Sequence, residues 1–211
     1  MDRQIKRILV LAPHTDDGEF GCGGTVARFV REDKEIFYIA FSTAEESVPP
    51  GFPKNILETE VRNATRILGI QPGNLIVYKF QVRKLNYVRQ EILDELVKIK
   101  DDIRPDLVFI PSVHDLHQDH YTIAMEGMRA FKKTGIFAYE IPWNNMTFHT
   151  QAFIKLHKGH VQKKVDALKA YESQSKRSYA TEEFIWSLAK TRGVQISADY
   201  AETFEVIRWV L

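Results

Sequence analysis

The chain has 211 residues, 44% hydrophobic and 27% charged, a balance that suits one soluble globular unit. Lys plus Arg is 29 against 28 Asp plus Glu, a formal charge of +1, which excludes the basic excess expected of nucleic-acid or anionic-membrane binding. Cys22 is the single cysteine, so neither a disulfide framework nor a Cys-rich zinc site is available. The apolar run from Ile8 to Pro13 is too short for a signal-peptide core. No apolar run reaches the length of a membrane span. The expected location is therefore the cytoplasm, with no membrane or nucleic-acid partner.

Strand and helix signals alternate along the first two thirds of the chain. Ile8 to Ala12 reads as a buried strand, and Thr25 to Val30 as helix after Gly21 to Gly24. Ile36 to Phe41 is a second strand, and 55–68 an amphipathic helix stopped by Gly69. Leu75 to Tyr78 is a third strand, and Val88 to Ile103 a helix ending before Pro105. Leu107 to Ile110 is a fourth strand, Ile123 to Phe131 a helix, and Ile136 to Ile141 a fifth strand. Such alternation predicts an α/β fold with a doubly wound, mostly parallel sheet. After Pro142 the pattern is irregular: strands over Phe148 to Leu156 and Phe204 to Val210, and helices over Val161 to Tyr171 and Glu182 to Lys190. The reading is one domain, 1–211, with a core of about 1–142 and a C-terminal extension of about 143–211. The polar, proline-containing loop from Ser42 to Lys54 follows the second strand and should rim the active face.

Two clusters of histidine and carboxylate follow strand ends. The first strand runs into His14-Thr15-Asp16-Asp17, and the fourth into His114-Asp115-Leu116-His117-Gln118-Asp119-His120. In an open α/β sheet, ligands bind outside the carboxyl ends of strands where the strand order reverses. With the order 3-2-1-4-5, the first and fourth strands are neighbours, and the two clusters face each other across one crevice. Imidazole plus carboxylate is the donor set of a borderline divalent cation such as zinc, with Fe2+ as another metal such a set takes. A neighbouring carboxylate that does not bind the metal can deprotonate its water. Asp-Asp-Gly after a strand is also an ordinary turn and helix-cap signal. The pairing of two such clusters at corresponding strand ends is what favours a metal site.

Gly21-Cys22-Gly23-Gly24 invites a dinucleotide-loop reading, but Val26 stands where the third glycine belongs, and Asp16, Asp17 and Glu19 would repel a pyrophosphate. Small residues that let a helix pack closely, and tolerate positive φ, are the better reading. Cys22 beside them reads as a small buried hydrophobe.

The stretch from Ala12 to Thr25 (A-P-H-T-D-D-G-E-F-G-C-G-G-T) resembles the signature of the LmbE-like, or PIG-L, N-deacetylase family. His117-Gln118-Asp119-His120 resembles its second signature, H-x-D-H. Weaker echoes at 60–64, 104–108, 139–140, 164–174 and 192–193 extend the resemblance along nearly the whole chain. Thr15 and Gln118 stand where the family commonly has proline, a difference in loop rigidity rather than in chemistry. The resemblance implies a Rossmann-like sandwich and a zinc-dependent hydrolase of N-acetyl or similar N-acyl groups on amino sugars or their conjugates. In it, a water on the metal is the nucleophile. It implies His14, Asp17 and His120 as metal ligands and Asp16 as general base. It implies a cationic His117 as oxyanion stabiliser, hydrogen-bonded by Asp119, which raises its pKa. His114, Trp143 and Asn144 are candidate substrate contacts, and Glu140 follows the fifth strand near the site. Two other readings are weighed: a nucleotide- or cofactor-binding α/β module using the glycines, and a non-heme iron enzyme using the same His/Asp/His set. Whether the chain forms a homo-oligomer is left open.

Overall fold

A computed structural model describes residues 5–210. In chain order the strands are β1 (Arg7–His14), β2 (Glu35–Ser42), β3 (Leu75–Val77), β4 (Leu107–Pro111), β5 (Gly135–Tyr139), β6 (Ala152–Leu156) and β7 (Tyr200–Arg208). The helices are α1 (Asp17–Arg31), α2 (Ile56–Leu68), α3 (Arg89–Ile103), α4 (Gln118–Ala130), α5 (Lys158–Lys169) and α6 (Glu182–Val194). One sheet contains all seven strands in the order β3-β2-β1-β4-β5-β7-β6. The β1–β5 part is parallel; β7 runs antiparallel to both β5 and β6. The expected 3-2-1-4-5 order is therefore present, extended by two C-terminal strands. No helix among the described residues is long and apolar enough to cross a membrane.

Side chains alternate across the sheet, which builds a core on each face. Ile8, Val10 and Ala12 of β1 join Phe20, Val26, Val61, Val165 and Ile185 on one side. Leu9 and Leu11 join Ile92, Leu96, Ile99 and Ile123 on the other. Helices α1, α2, α5 and α6 thus cover one face, and α3 and α4 the other.

Two helices begin earlier than their sequence patterns suggest. Helix α1 starts at Asp17, with a kink at Cys22 (φ −145°, ψ 19°), and its glycine-rich half is buried throughout. Glycines hide this stretch from helical periodicity, yet close packing requires them. A Cβ on Gly21 would lie 2.1 Å from the Tyr139 ring, and one on Gly24 2.6 Å from Leu156. Among the described glycines only Gly51 and Gly69 have positive φ, so packing rather than backbone freedom explains residues 21–24. Cys22 is fully buried, and burial drives its thiol pKa well up, as befits a core residue. Helix α4 starts at Gln118, and His117 is its N-cap.

Candidate metal centre

Strands β1 and β4 are adjacent and parallel, so both open at the same edge of the sheet. His14 is the last residue of β1, Asp16 is the N-cap of α1, and Asp17 is its first residue. His117 caps α4, placing Asp119 and His120 in its first turn. Two helix N-termini, whose free N–H groups favour negative charge, therefore flank one point.

There, three donor atoms converge. His14 Nδ1 lies 3.1 Å from Asp17 Oδ2, His120 Nε2 lies 3.2 Å from the same oxygen, and the two imidazole nitrogens are 3.3 Å apart. Tetrahedral zinc with bonds of about 2.0–2.1 Å spaces its ligand atoms about 3.3 Å apart. The residues fit such an ion without rearrangement. A nitrogen of His117 also lies within 4.8 Å of those of His14 and His120. Asp17 Oδ2, however, lies at 3.1 and 3.2 Å from the two, and His117 Nδ1 is already engaged, accepting the Asp119 N–H at 3.1 Å.

Each histidine of the triangle is held from its other nitrogen by a carboxylate. His14 Nε2 is 3.0 Å from Asp119 Oδ2, and His120 Nδ1 is 2.7 Å from Asp115 Oδ2. Such partners fix ring orientation and raise ligand basicity. Asp119 is itself fixed by the N–H groups of Arg83 (2.6 Å) and Leu85 (3.2 Å). Asp115 also accepts the N–H of His117 at 2.8 Å. Below the site, the hydroxyls of Tyr38 and Tyr171 donate to the Thr15 carbonyl or the Glu19 carboxyl, at 2.7–3.0 Å where Thr15 O or Glu19 Oε1 accepts.

The electrostatics describe a point that attracts positive charge. Burial opposes protonation of His14, but Asp17 and Asp119 outweigh it and lift its pKa to about 9. Burial likewise opposes a charged His120, and Asp17 with Asp115 raise it to about 10. Burial would raise the Asp17 pKa, yet His120 and His14 hold it far below the usual carboxylate range. The field that retains protons on two imidazoles would equally retain a cation. Asp16 is pushed up to about 6 by burial and by Asp17 beside it.

Two expectations need correction. The Asp119 carboxylate does not bond His117; from the first turn of α4 it reaches His14 instead, and only its backbone N–H meets the His117 ring. His117 is accordingly not held cationic. Burial, then His14 and His120, lower its pKa to about 4. With Nδ1 accepting, the neutral ring carries its proton on Nε2, so His117 offers the crevice a neutral N–H donor. The second correction concerns His114, which does not line the crevice but sits near His149 and Glu205.

The crevice over the triangle has a volume of about 320 Å³. His14, Asp16, Asp17, His117 and His120 form its floor, and Ala44 and Ser47, from the loop after β2, line its rim. Trp143 and Asn144 line it as well. Trp143 stacks on Tyr179 at 3.8 Å and meets Phe20 edge-on at 5.0 Å. Gln174, Arg177 and Tyr179 complete the wall from the C-terminal part of the chain. Arg177 Nε donates to Gln174 Oε1 at 2.6 Å, and its Nη1 to the Tyr179 hydroxyl at 2.8 Å. Sequence reasoning gave these residues no role, because no local signal marks an irregular segment that reaches the site only through folding. Asp115 did carry a signal: a histidine ligand wants a carboxylate on its second nitrogen. Glu140 lies elsewhere, forming a bidentate pair with Arg192 at 2.9 and 2.6 Å.

Comparison with known proteins agrees with this geometry. The chain is 27% identical over 174 residues to the uncharacterized deacetylase YaiS of Escherichia coli K12, an alignment covering 80% of this chain and 91% of that protein. It is 25% identical over 193 residues to a probable N-acetyl-alpha-D-glucosaminyl L-malate deacetylase 2 of Bacillus anthracis, covering 80% and 81%. Among solved structures, the conserved protein TT1542 of Thermus thermophilus superposes with a TM-score of 0.82 at 27% identity, covering 99% of this chain and 97% of that one. The family model described as PIG-L, GlcNAc-PI de-N-acetylase, matches residues 9–131, a span that holds both halves of the His/Asp triangle, and the chain belongs to that family.

Proposed function

We propose that this protein is a divalent-metal-dependent hydrolase that removes an N-acetyl group from an amino sugar or its conjugate, with zinc as the metal. The observation that carries the reading is the triangle of His14 Nδ1, Asp17 Oδ2 and His120 Nε2, with sides of 3.1 to 3.3 Å, on the floor of an open crevice. Three protein donors leave a coordination position for chemistry. A zinc ion in that triangle would supply a Lewis acid that polarises an amide carbonyl and activates water at neutral pH. Asp16 lines the crevice next to Asp17 and forms no capping bond to α1, so its carboxylate can accept a proton from the attacking water and pass it to the departing amine. His117 donates from Nε2 to the carbonyl oxygen as negative charge develops there. Asp119 and Asp115 position His14 and His120. Trp143 offers an aromatic wall against which a sugar ring can lie. The names of the two relatives, both deacetylases and one acting on an N-acetylglucosaminyl conjugate, support the substrate class. The proposed setting is the cytoplasm.

The test is primary-amine release from a panel of N-acetylated amino sugars, before and after metal removal. Zinc restored to the stripped protein should restore turnover. Asp16→Asn should keep the metal and lose about 10²–10⁴-fold in kcat. Turnover unchanged by metal removal, or an Asp16→Asn variant with full activity, would contradict the reading.

A further inference from the structure

A second set of metal-binding donors is gathered away from the crevice. His114 in the loop after β4, His149 in the segment before β6, and Glu205 on β7 bring two imidazole nitrogens and a carboxylate oxygen within 4.8 Å of one another. None of these residues lines the crevice.

Glu205 distinguishes this set from a chance surface cluster. It is only 3% exposed, and its carboxylate is fixed from two sides. Oε1 accepts the backbone N–H of His149 at 3.1 Å, and Oε2 accepts the Ser112 hydroxyl at 2.6 Å. Among the described residues no lysine or arginine pairs with it. The imidazoles of His114 and His149 are the basic side chains beside it, with His114 Nε2 3.9 Å from Oε1. A buried carboxylate is costly unless a cation and hydrogen bonds compensate it. Both imidazoles are exposed, with ring centroids 5.6 Å apart, so they can turn without disturbing the core. Their backbones are tethered: Ser112 N–H bonds Tyr139 O at 3.0 Å, Leu116 N–H bonds Asn144 O at 3.2 Å, and Asp115 bridges Asn145.

We propose that His114, His149 and Glu205 form a second divalent-cation site, selective for zinc-class ions and separate from the His14–Asp17–His120 triangle. Two imidazoles and one carboxylate suit zinc, with water completing the tetrahedron. Binding would require the exposed rings to rotate so that the donor spacing closes to the roughly 3.3 Å of tetrahedral zinc. An ion there would link the loop after β4 to the approach to β6 and to β7. Because that loop also carries Asp115, which holds His120, occupancy would stiffen the backing of the first site. The inference does not depend on the hydrolase reading.

The experiment is zinc titration of the metal-stripped full chain, read by equilibrium dialysis and metal analysis. The wild type should take up two equivalents, and His120→Ala one. His120→Ala combined with His149→Ala should take up none, while circular dichroism shows the same fold as His120→Ala alone, as expected when the added change is at the exposed His149. His149→Ala alone should keep one. A wild type whose zinc uptake is unchanged by His149→Ala, or a double variant that still binds zinc as tightly as His120→Ala, would overturn the site.

Discussion

At the residue scale, the candidate centre is a balance of charges around one point. Asp17 faces both imidazoles, and Asp119 and Asp115 stand behind them. The outer carboxylates should therefore matter almost as much as the ligands. Asp115→Ala should weaken zinc binding at the first site about 10–100-fold, measured by competition with a chromogenic chelator. Equal affinity in variant and wild type would mean that the 2.7 Å contact to His120 is incidental. That His14, Asp16, Asp17, His117 and His120 gather at one crevice was legible because their types and spacing announce the chemistry. The partner of each was not: whether Asp119 bonds His117 or His14 depends on where the first turn of α4 sits, and no spacing rule gives that.

At the element scale, α1 depends on the absence of side chains. Tyr139 is fully buried and its hydroxyl donates to Leu11 O at 2.9 Å, so its ring cannot yield to a methyl group at residue 21. Gly21→Ala should cost about 1–3 kcal/mol or more, seen as a lower Tm. Gly159→Ala in α5, where a Cβ meets nothing within 4 Å, should instead gain about 0.5–1 kcal/mol. The start of α5 also carries a pH dependence. His160 Nδ1 accepts the His157 N–H at 3.2 Å, while its Nε2 is buried without a partner. Burial, then His157 and nearby Arg31 and Arg28, lower the His160 pKa from 6.5. A base with a depressed folded pKa contributes stability above its unfolded pKa and loses it on acidification. Tm should therefore fall below pH 6.5 more steeply in the wild type than in His160→Gln, whose amide oxygen keeps the acceptor. Parallel pH profiles would refute this account.

At the scale of the whole molecule, the C-terminal third is built into the core of the rest. Strand β7 pairs with β5, and Glu202 on β7 accepts the N–H groups of Gly24 (3.0 Å) and Thr25 (2.6 Å) in α1. Lys164 of α5 reaches the same carboxylate at 2.7 Å and the Phe20 carbonyl at 2.6 Å. Both charges are almost fully buried. Lys164→Met should cost about 3–5 kcal/mol in denaturant unfolding, because it leaves a carboxylate buried without its cation. A change below about 1 kcal/mol would mean that the two backbone donors suffice for Glu202.

The sequence by itself determined the alternating elements, the strand order of the parallel half and the residues that meet at its open edge. Those features follow from local periodicity, from chain-crossing rules and from residue chemistry, all of which act over short stretches. Tertiary structure alone decided the helical course of the glycine-rich segment and the antiparallel return of β7 between β5 and β6. It alone brought Arg177 and Tyr179 to the crevice wall, and it set the partner of each carboxylate. These depend on close packing and on contacts between segments far apart in the chain, where a shift of one turn exchanges one hydrogen-bond partner for another.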